Sequence, residues 1–568
     1  MTNKEIAQVL KLTSSLLELH DENQFKIRTY TNAVINIEKQ NEPLIDKDLS
    51  ELESLEGIGK GLANSIVELR EKGSFTVLDE LIAKTPEGII EMINLKGIGP
   101  KKIKTVWKEL NIENIDQLYE ACKQGKLEKL KGFGAKTQQT MQQNLDYIIS
   151  QRGKALFADA EVLAEKLLIG LKDKFPSYKI ALTGSMRRKM DVVDSVEIII
   201  APVENKSITK FLEEDRLVEV DHQSSGPFSL RGKFTELNLE WHIRLSEPSK
   251  FYQNLILSTG SGKHLANLTK DGKSLYQYLL DNSVENEEAV YANLEIPFIE
   301  PELREGSFET DFSKENPPPI LLEVQDIKGP FHNHSNYSDG QNTIRQLAEY
   351  CIEQGYEYLG LSDHSKSAFY ASGLQEFQIK KQHEEIDILN QELAPFKIFK
   401  GIESDILNDG SLDYENNILG SFDFIVASIH SNLNMDQDKA TQRLLKAIEN
   451  PYTTVLGHPT GRLLLRRQGY PIDHRKIIDA CAEHSVIIEI NANPWRLDID
   501  WRWVHYALEK EVILSINPDA HELDGFADMK YGVFTGRKGG LTQEMTFNSW
   551  TLDNVESYLA ERKTKVTS

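Results

Sequence analysis

At 568 residues the chain is too long for one hydrophobic core, so about three to five domains are expected. Hydrophobic residues at 40% and charged residues at 27% give the balance of a soluble globular protein, and the lack of any run of about 18 apolar residues excludes a membrane-spanning helix. A net charge of −23 excludes a protein that coats nucleic acid by bulk charge, while local basic surfaces stay open to it. The opening MTNKEIAQVLKLTSSLLELH carries acids and no cleavable apolar stretch. Only Cys122, Cys351 and Cys481 are present, too scattered for a disulfide framework, so a cytoplasmic protein is expected. Nothing points to obligate assembly, and a monomer is expected.

Residues 1–150 carry the periodicity of helices, with Ile6, Val9, Leu10 and Leu12, then Leu16 and Leu17, at three-to-four spacing. Within them one motif recurs three times, as LESLEGIGKGLANSI, INLKGIGPKKIKTVW and LEKLKGFGAKTQQTM. Each copy is an apolar stretch, a Gly-apolar-Gly turn and a new amphipathic helix, the glycines being Gly57 and Gly59, Gly97 and Gly99, Gly132 and Gly134. Glycine permits positive φ in a tight hairpin, and the helix that follows offers free N–H groups and a positive dipole end to a phosphate. Lys101, Lys102, Lys104 and Lys136 follow two of the copies, and residues 96–136 hold ten lysines against five acids. A simple helix–helix turn explains one copy; three copies with lysines predict sequence-independent binding of the DNA backbone. They resemble helix-hairpin-helix motifs. On this reading residues 1–80 form a helical domain with the first motif and 81–150 a second helical domain with the other two.

From about residue 151 the character changes to α/β. Leu182-Thr183-Gly184-Ser185-Met186-Arg187-Arg188 leads to Val192-Val193-Asp194-Ser195-Val196-Glu197 and an apolar strand, Ile198-Ile199-Ile200. Ser258-Thr259-Gly260-Ser261 and Ile299-Glu300-Pro301-Glu302-Leu303-Arg304 follow. The Gly-Ser-x-Arg-Arg opening, with the hairpin motifs before it, resembles the family X DNA polymerases. Bacterial members carry a C-terminal PHP (polymerase and histidinol phosphatase) domain, and the His-rich half of this chain resembles one. The resemblance implies a nucleotidyltransferase-like palm over 151–250, a thumb over 251–310, a Pro-rich linker over 311–330 and a PHP domain over 331–568. It implies a multidomain fold with a helical helix-hairpin-helix region, an α/β palm and thumb, and a (β/α)7 barrel-like PHP domain.

The chain departs from the family at the palm. The family's Asp-x-Asp falls on Ser195 and Glu197, and its third Asp on His242. Strand alternation puts such positions on one face, where three carboxylates clamp two Mg²⁺ ions; here one carboxylate of three remains. Asp194 is offset by one residue and points to the opposite face, and Glu240 lies about 6.6 Å further along its strand. Polymerase chemistry is therefore not expected. The Schiff-base lysine of the family's lyase activity falls eight residues beyond Gly57, on Ser65, which cannot form an imine. Lys60 and Lys72 lie nearby. Gly184, Ser185 and Arg188 persist as a remnant of nucleotide or phosphate binding, or as a surface now held against DNA.

The last 240 or so residues alternate apolar runs with helical patterns, which predicts a parallel sheet, closed as a barrel of about seven strands. The runs end in His332 and His334 with Asp339, His364, Glu403, His430, His458, the Asn491-Ala492-Asn493 turn, and Asp519 with His521. Functional groups of such barrels sit at the carboxyl ends of the strands. Of 14 histidines, ten lie in this half and six occupy strand ends; His383, His474, His484 and His505 fall in helical patterns and are expected at the surface. Nine side chains thus converge as candidate metal ligands. The PHP resemblance implies three divalent metals: one on His332, His334, Glu403 and Asp519, a second bridged by Glu403 to His430 and His458, and a third on Asp339, His364 and His521. Mixed imidazole and carboxylate ligands suit Mn, Zn or Fe. Arg462, Arg466 and Arg467 follow His458, and Arg496 and Arg537 follow later strands; Arg462 is expected to bind phosphate. Glu403, His334, Asp519 and Arg462 are the candidate catalytic residues.

The sequence thus predicts a metal-dependent DNA phosphodiesterase, a 3′–5′ exonuclease in DNA repair acting also on abasic sites or blocked 3′ ends, with DNA as partner and no membrane. The alternatives are an active family X repair polymerase with a PHP nuclease, a PHP-type small-molecule phosphatase, and a non-enzymatic DNA scaffold.

Overall fold

The computed structural model describes residues 1–568 except 2, 39, 41, 94, 96, 97, 268–271, 283 and 568. The chain divides into two compact units, Met1–Arg152 with 466–468, and Gly153–Leu465 with Gly469–Ser568.

The first unit is helical. Its long helices Asn3–Leu19 and Gln24–Glu38 bury Ile6, Leu10, Leu17, Ile27 and Ile37, the apolar stripes that three-to-four spacing creates. The hairpin helices Lys60–Lys72, Pro100–Leu110 and Ala135–Ser150 start at Gly59, Gly99 and Gly134, none with a side-chain cap. Gly57 and Gly132 sit at φ +79° and +87°, where a Cβ would be strained. Gly97 lies outside the described residues.

The second unit contains two sheets and a small ribbon in which β1 (Ala155–Leu156) pairs with β3 (Val192–Val193). The palm sheet is built from β2 (Lys179–Thr183), β4 (Ser195–Ala201), β5 (Val218–Val220), β6 (Ser229–Phe234) and β7 (Glu240–Leu245), in the order β2-β4-β7-β6-β5. Only β4 and β7 run parallel, and helix Phe157–Lys174 buries Leu163, Leu167 and Leu171 in the same core. The PHP sheet is parallel throughout, in the order β8 (Tyr358–Leu361), β9 (Lys397–Asp405), β10 (Phe424–Ser428), β11 (Val455–Leu456), β12 (Ile487–Asn491), β13 (Leu514–Asn517). Its strands are buried on both faces, which is why they read as unbroken apolar runs.

Six regular strands are present rather than seven, and residues 330–334 supply the remaining stave. Gly360 N–H donates to Pro330 O at 2.8 Å and Ser362 N–H to Asn333 O at 2.9 Å on one side, while His334 N–H donates to Ala520 O at 2.9 Å on the other. Below the mouth, Phe331, Tyr358, Phe399, Phe424 and Phe547 fill the interior against helix Leu552–Thr567. A Cβ on Gly401 would lie 2.2 Å from the Phe424 ring, so only glycine admits these aromatics.

The segment expected as a linker is fastened down: Leu321, Leu322 and Ile327 are buried, and Leu322 N–H donates to Leu541 O at 2.9 Å. Palm, thumb and PHP elements are joined by buried polar groups. Lys538 Nζ donates to Arg188 O at 2.8 Å and pairs with Glu305 at 2.7 Å, and Arg537 pairs with Glu302 at 2.9 Å. Lys530 meets Glu161 at 2.9 Å. Among the described residues no helix is long and apolar enough to cross a membrane.

Candidate metal centre

The strand ends of the PHP sheet, with residues 330–340, bring all nine sequence-predicted ligands into one connected cluster. Glu403 stands at its middle, fully buried near the end of β9. Its Oε1 lies 3.2, 3.1 and 3.0 Å from the Nε2 atoms of His332, His430 and His458. Its Oε2 lies 2.8 Å from His364 Nδ1 and 3.7 Å from His334 Nε2. Asp519 Oδ1 lies 3.1 Å from His334 Nε2 and 3.5 Å from His332 Nε2. Asp339 Oδ1 lies 3.4 and 3.7 Å from the Nε2 atoms of His521 and His364. Ligand atoms fall within 4.8 Å of one another in four overlapping groups: His334-Asp339-His364-His521, His332-Glu403-His458, His332-His334-Asp519 and His364-Glu403-His430. His334 therefore faces two groups, beyond the single one that the sequence reading gave it.

The donor set fits divalent ions. Buried ring nitrogens of His332, His334, His364 and His458, and Oε2 of Glu403, make no hydrogen bond, a cost that a native fold sustains where another group is meant to bind. Burial, with the neighbouring rings of His521 and His364, pushes the pKa of His334 down to about 3, so its ring is the lone-pair form that a metal needs. Burial opposes the charge on Glu403, yet His430, His332 and His364 hold it well below the usual carboxylate range. Two of the ligands, His458 at φ +23° and Asp519 at φ +54°, sit in strained left-handed backbone at the mouth.

A layer behind the ligands escaped the sequence reading. Glu489 Oε2 receives His332 Nδ1 at 2.7 Å, and Asp405 Oδ1 receives His430 Nδ1 at 2.5 Å. Each fixes the ring so that Nε2 faces the cluster. The signal was present: Glu489 interrupts Ile487-Ile488 and Ile490, and Asp405 follows Glu403 by two residues on the same strand face. Asp363, beside His364, instead clasps the 335–338 loop through Ser335 and Ser338 and accepts from Gln382 at 2.6 Å.

Arg462 corrects an expectation. Its guanidinium is enclosed, pairing with Asp500 at 2.5 Å and Asp191 at 3.5 Å and donating to Arg496 O at 2.8 Å and to Leu497 O. With its donors so engaged it cannot fork onto phosphate. Arg537 likewise serves the thumb contact. Arg496 is the arginine at the cluster, its Nε 3.6 Å from Asp519 Oδ2. His474 stacks on Trp503 at 4.6 Å, His505 on Phe308 at 3.8 Å, and His383 meets Phe422 at 5.1 Å. These three are half-buried rather than surface residues, because a neutral imidazole packs as a flat aromatic; His484 is exposed as expected.

Family models match the chain in three places: a helix-hairpin-helix domain over 1–75, a SAM-like helix-hairpin-helix tandem over 89–145 and a PHP domain over 330–493. Over 573 residues the chain is 34% identical to the DNA polymerase/3′-5′ exonuclease PolX of Bacillus subtilis (strain 168), covering 98% of this chain and 99% of that one. The chain belongs to the PolX family. Shorter alignments link it to probable phosphatases of Thermoanaerobacter sp. (strain X514), 26% identical over 246 residues (41% of this chain, 95% of that one), and of Clostridium acetobutylicum, 31% identical over 170 residues (28% of this chain, 62% of that one).

In this PolX-family chain the palm face sets arginines beside its remaining carboxylate. The register of β4 and β7 sets Ser195 beside Glu240 and Glu197 beside His242. Glu197 leans over Gly184, where a Cβ would lie 2.3 Å from its Oε1, and pairs with Arg244 at 3.4 Å. Burial, with Arg244 and Arg231 nearby, pushes the pKa of His242 down to about 4. Among the described residues no group of three candidate ligands forms on the palm. At the Gly-Ser opening, Ser185 Oγ is buried without a hydrogen bond. Arg188 donates to Glu305 at 2.9 Å and Thr259 O at 2.7 Å, and Arg187 to Glu287 at 2.9 Å, so both arginines are engaged within the fold. On the hairpins, a Cβ at Gly59, Gly99, Gly132 or Gly134 would meet nothing within 4 Å, which leaves the backbone there open to approach. Lys101 and Lys136 are exposed, and Lys102 Nζ lies 5.6 Å from the Phe133 ring. Ser65 is buried and donates to Gly61 O at 3.1 Å.

Proposed function

We propose that this PolX-family chain is a divalent-metal-dependent DNA phosphodiesterase, acting as a 3′–5′ exonuclease in repair, with abasic or blocked 3′ ends as further substrates. The observation that carries the reading is Glu403, whose two oxygens meet five imidazoles within 2.8–3.7 Å at the mouth of the barrel. His332, His334, Asp339, His364, Glu403, His430, His458, Asp519 and His521 would hold the ions, three in number and of Mn, Zn or Fe type. Bound there, such ions supply a low-pKa water and neutralise charge on a phosphodiester. Glu489 and Asp405 keep His332 and His430 turned inward, and the burial of the ligands limits competing water. Arg496, at the rim, is placed to fork onto a phosphate oxygen. The uncapped helix starts after Gly59, Gly99 and Gly134 would grip backbone phosphates without reading sequence. The palm would serve as a platform for DNA, since Ser195, Glu197 and His242 offer one carboxylate already paired with Arg244.

The test is a duplex labelled at its 3′ or its 5′ end and incubated with Mn²⁺. The natural protein is expected to shorten strands from the 3′ end and the His334→Ala variant to lose that activity; cleavage unchanged in the variant overturns the reading. The alignments with probable phosphatases favour one second reading, a phosphomonoesterase. It predicts that the full chain turns over a simple phosphomonoester more efficiently than an oligonucleotide.

A further inference from the structure

A cleft of about 810 Å³ lies between the thumb and the PHP domain, a volume in the range of small-molecule sites. None of the nine metal ligands lines it, nor do Ser185, Ser195, Glu197 or His242. The thumb contributes Ser261, Gly262, Lys263 and Glu305 to its lining. The PHP domain contributes Arg475 from helix His474–His484, and Arg502, Trp503, Tyr506 and Glu509 from helix Trp501–Glu509. Trp503 gives one face to His474 and stays part-exposed. Most charges here already have partners. Glu305 pairs with Arg188 at 2.9 Å and Lys538 at 2.7 Å, Arg502 pairs with Asp500 at 2.9 Å, and Glu509 lies 3.8 Å from His505. Lys263 and Arg475 differ: both are exposed, and among the described residues neither makes an ion pair. Arg475 rests over the Tyr506 ring, 4.5 Å from its centroid.

We infer that this cleft binds a single free nucleoside 5′-monophosphate, its phosphate held by Lys263 and Arg475 and its base laid against Trp503. Two unpaired cations match one phosphate monoester, which carries a charge of about −2 near neutral pH. An indole face accepts any base by stacking. Glu305 and Glu509 in the lining break up the basic surface, so no continuous cationic track is present for the backbone of a strand. A mononucleotide needs only one cationic end. Because Lys263 comes from the thumb and Arg475 from the PHP domain, a phosphate bound to both would tie the two together. Binding of this kind needs no metal and holds or fails separately from hydrolysis at Glu403.

Calorimetric titration of the full chain with dAMP in the presence of EDTA tests the site. The natural protein and the His334→Ala variant should bind one dAMP per chain with equal Kd. Lys263→Ala and Arg475→Ala should each raise Kd about tenfold, and Trp503→Leu should raise it by a similar factor. Inorganic phosphate and deoxyadenosine, each lacking half of the ligand, should bind about tenfold more weakly or worse. A 5′-phosphorylated oligonucleotide should not displace dAMP. Saturating dAMP should raise the Tm of the natural protein, and that rise should vanish in the Lys263→Ala/Arg475→Ala double variant, whose Tm without ligand should be unchanged because both side chains are exposed. No saturable binding at millimolar dAMP overturns the inference. So does binding that survives in the double variant, is lost in His334→Ala or is displaced by the oligonucleotide.

Discussion

The palm and the PHP domain each present side chains from adjacent strand ends, at places where the family resemblance implies metal chemistry, and they differ in what surrounds the carboxylates. On the palm, Glu197 is paired with Arg244, and His242 lies near Arg244 and Arg231. In the barrel, Glu403 is ringed by five imidazoles, and further carboxylates at 405 and 489 stand behind two of them. Cations beside a carboxylate repel divalent ions, whereas imidazoles whose far nitrogens are held by buried carboxylates are turned to bind them. A site is therefore judged by the charge of its second layer as much as by a count of its ligands.

The sharpest way to break the comparison is Glu403→Gln. Hydrolysis should fall by on the order of a thousandfold and bound metal, measured by elemental analysis of the purified protein, should drop with it. Next, the triple change Ser195→Asp, Glu197→Asp, His242→Asp should raise primer extension from background to a measurable rate. If the natural protein already incorporates nucleotides at a rate the triple variant does not exceed, the contrast between the two regions is lost. Glu489→Gln and Asp405→Asn should each weaken metal affinity by about 10–100-fold while leaving the fold intact by circular dichroism.

The smallest effect is one of pH. Because the folded pKa of His242 is pushed down to about 4, the unfolded chain takes up a proton below about pH 6.5 that the folded chain refuses. Stability should therefore decline as pH falls from about 6.5 to about 4, by on the order of 2 kcal/mol for this group. Thermal denaturation of His242→Asn should show a shallower decline over the same window, and an identical slope counts against a His242 ring that burial and the two arginines keep unprotonated.

Much of this was legible because the residues involved obey short-range rules. Apolar runs ending in His364, Glu403, His430 and His458 fix both the parallel strands and the face on which the ligands gather. The glycines of the hairpins announce positive φ and uncapped helix starts. What stayed hidden depends on which surface meets which. Arg462 reads as a phosphate ligand because it follows a strand end, but its actual partners include Asp191, 271 residues away in the palm. Residues 330–334 read as a strand, yet take their hydrogen bonds from both ends of the sheet as an irregular closing stave.

The Arg462 bridge gives the palm a mechanical duty separate from nucleotides. Through it Asp191 props the 496–500 loop, and with it the arginine beside Asp519. Positions four residues apart then answer to different demands. A substitution library scored for strand shortening should tolerate little at 191 and almost anything at 195, tracing the outline of a buttress.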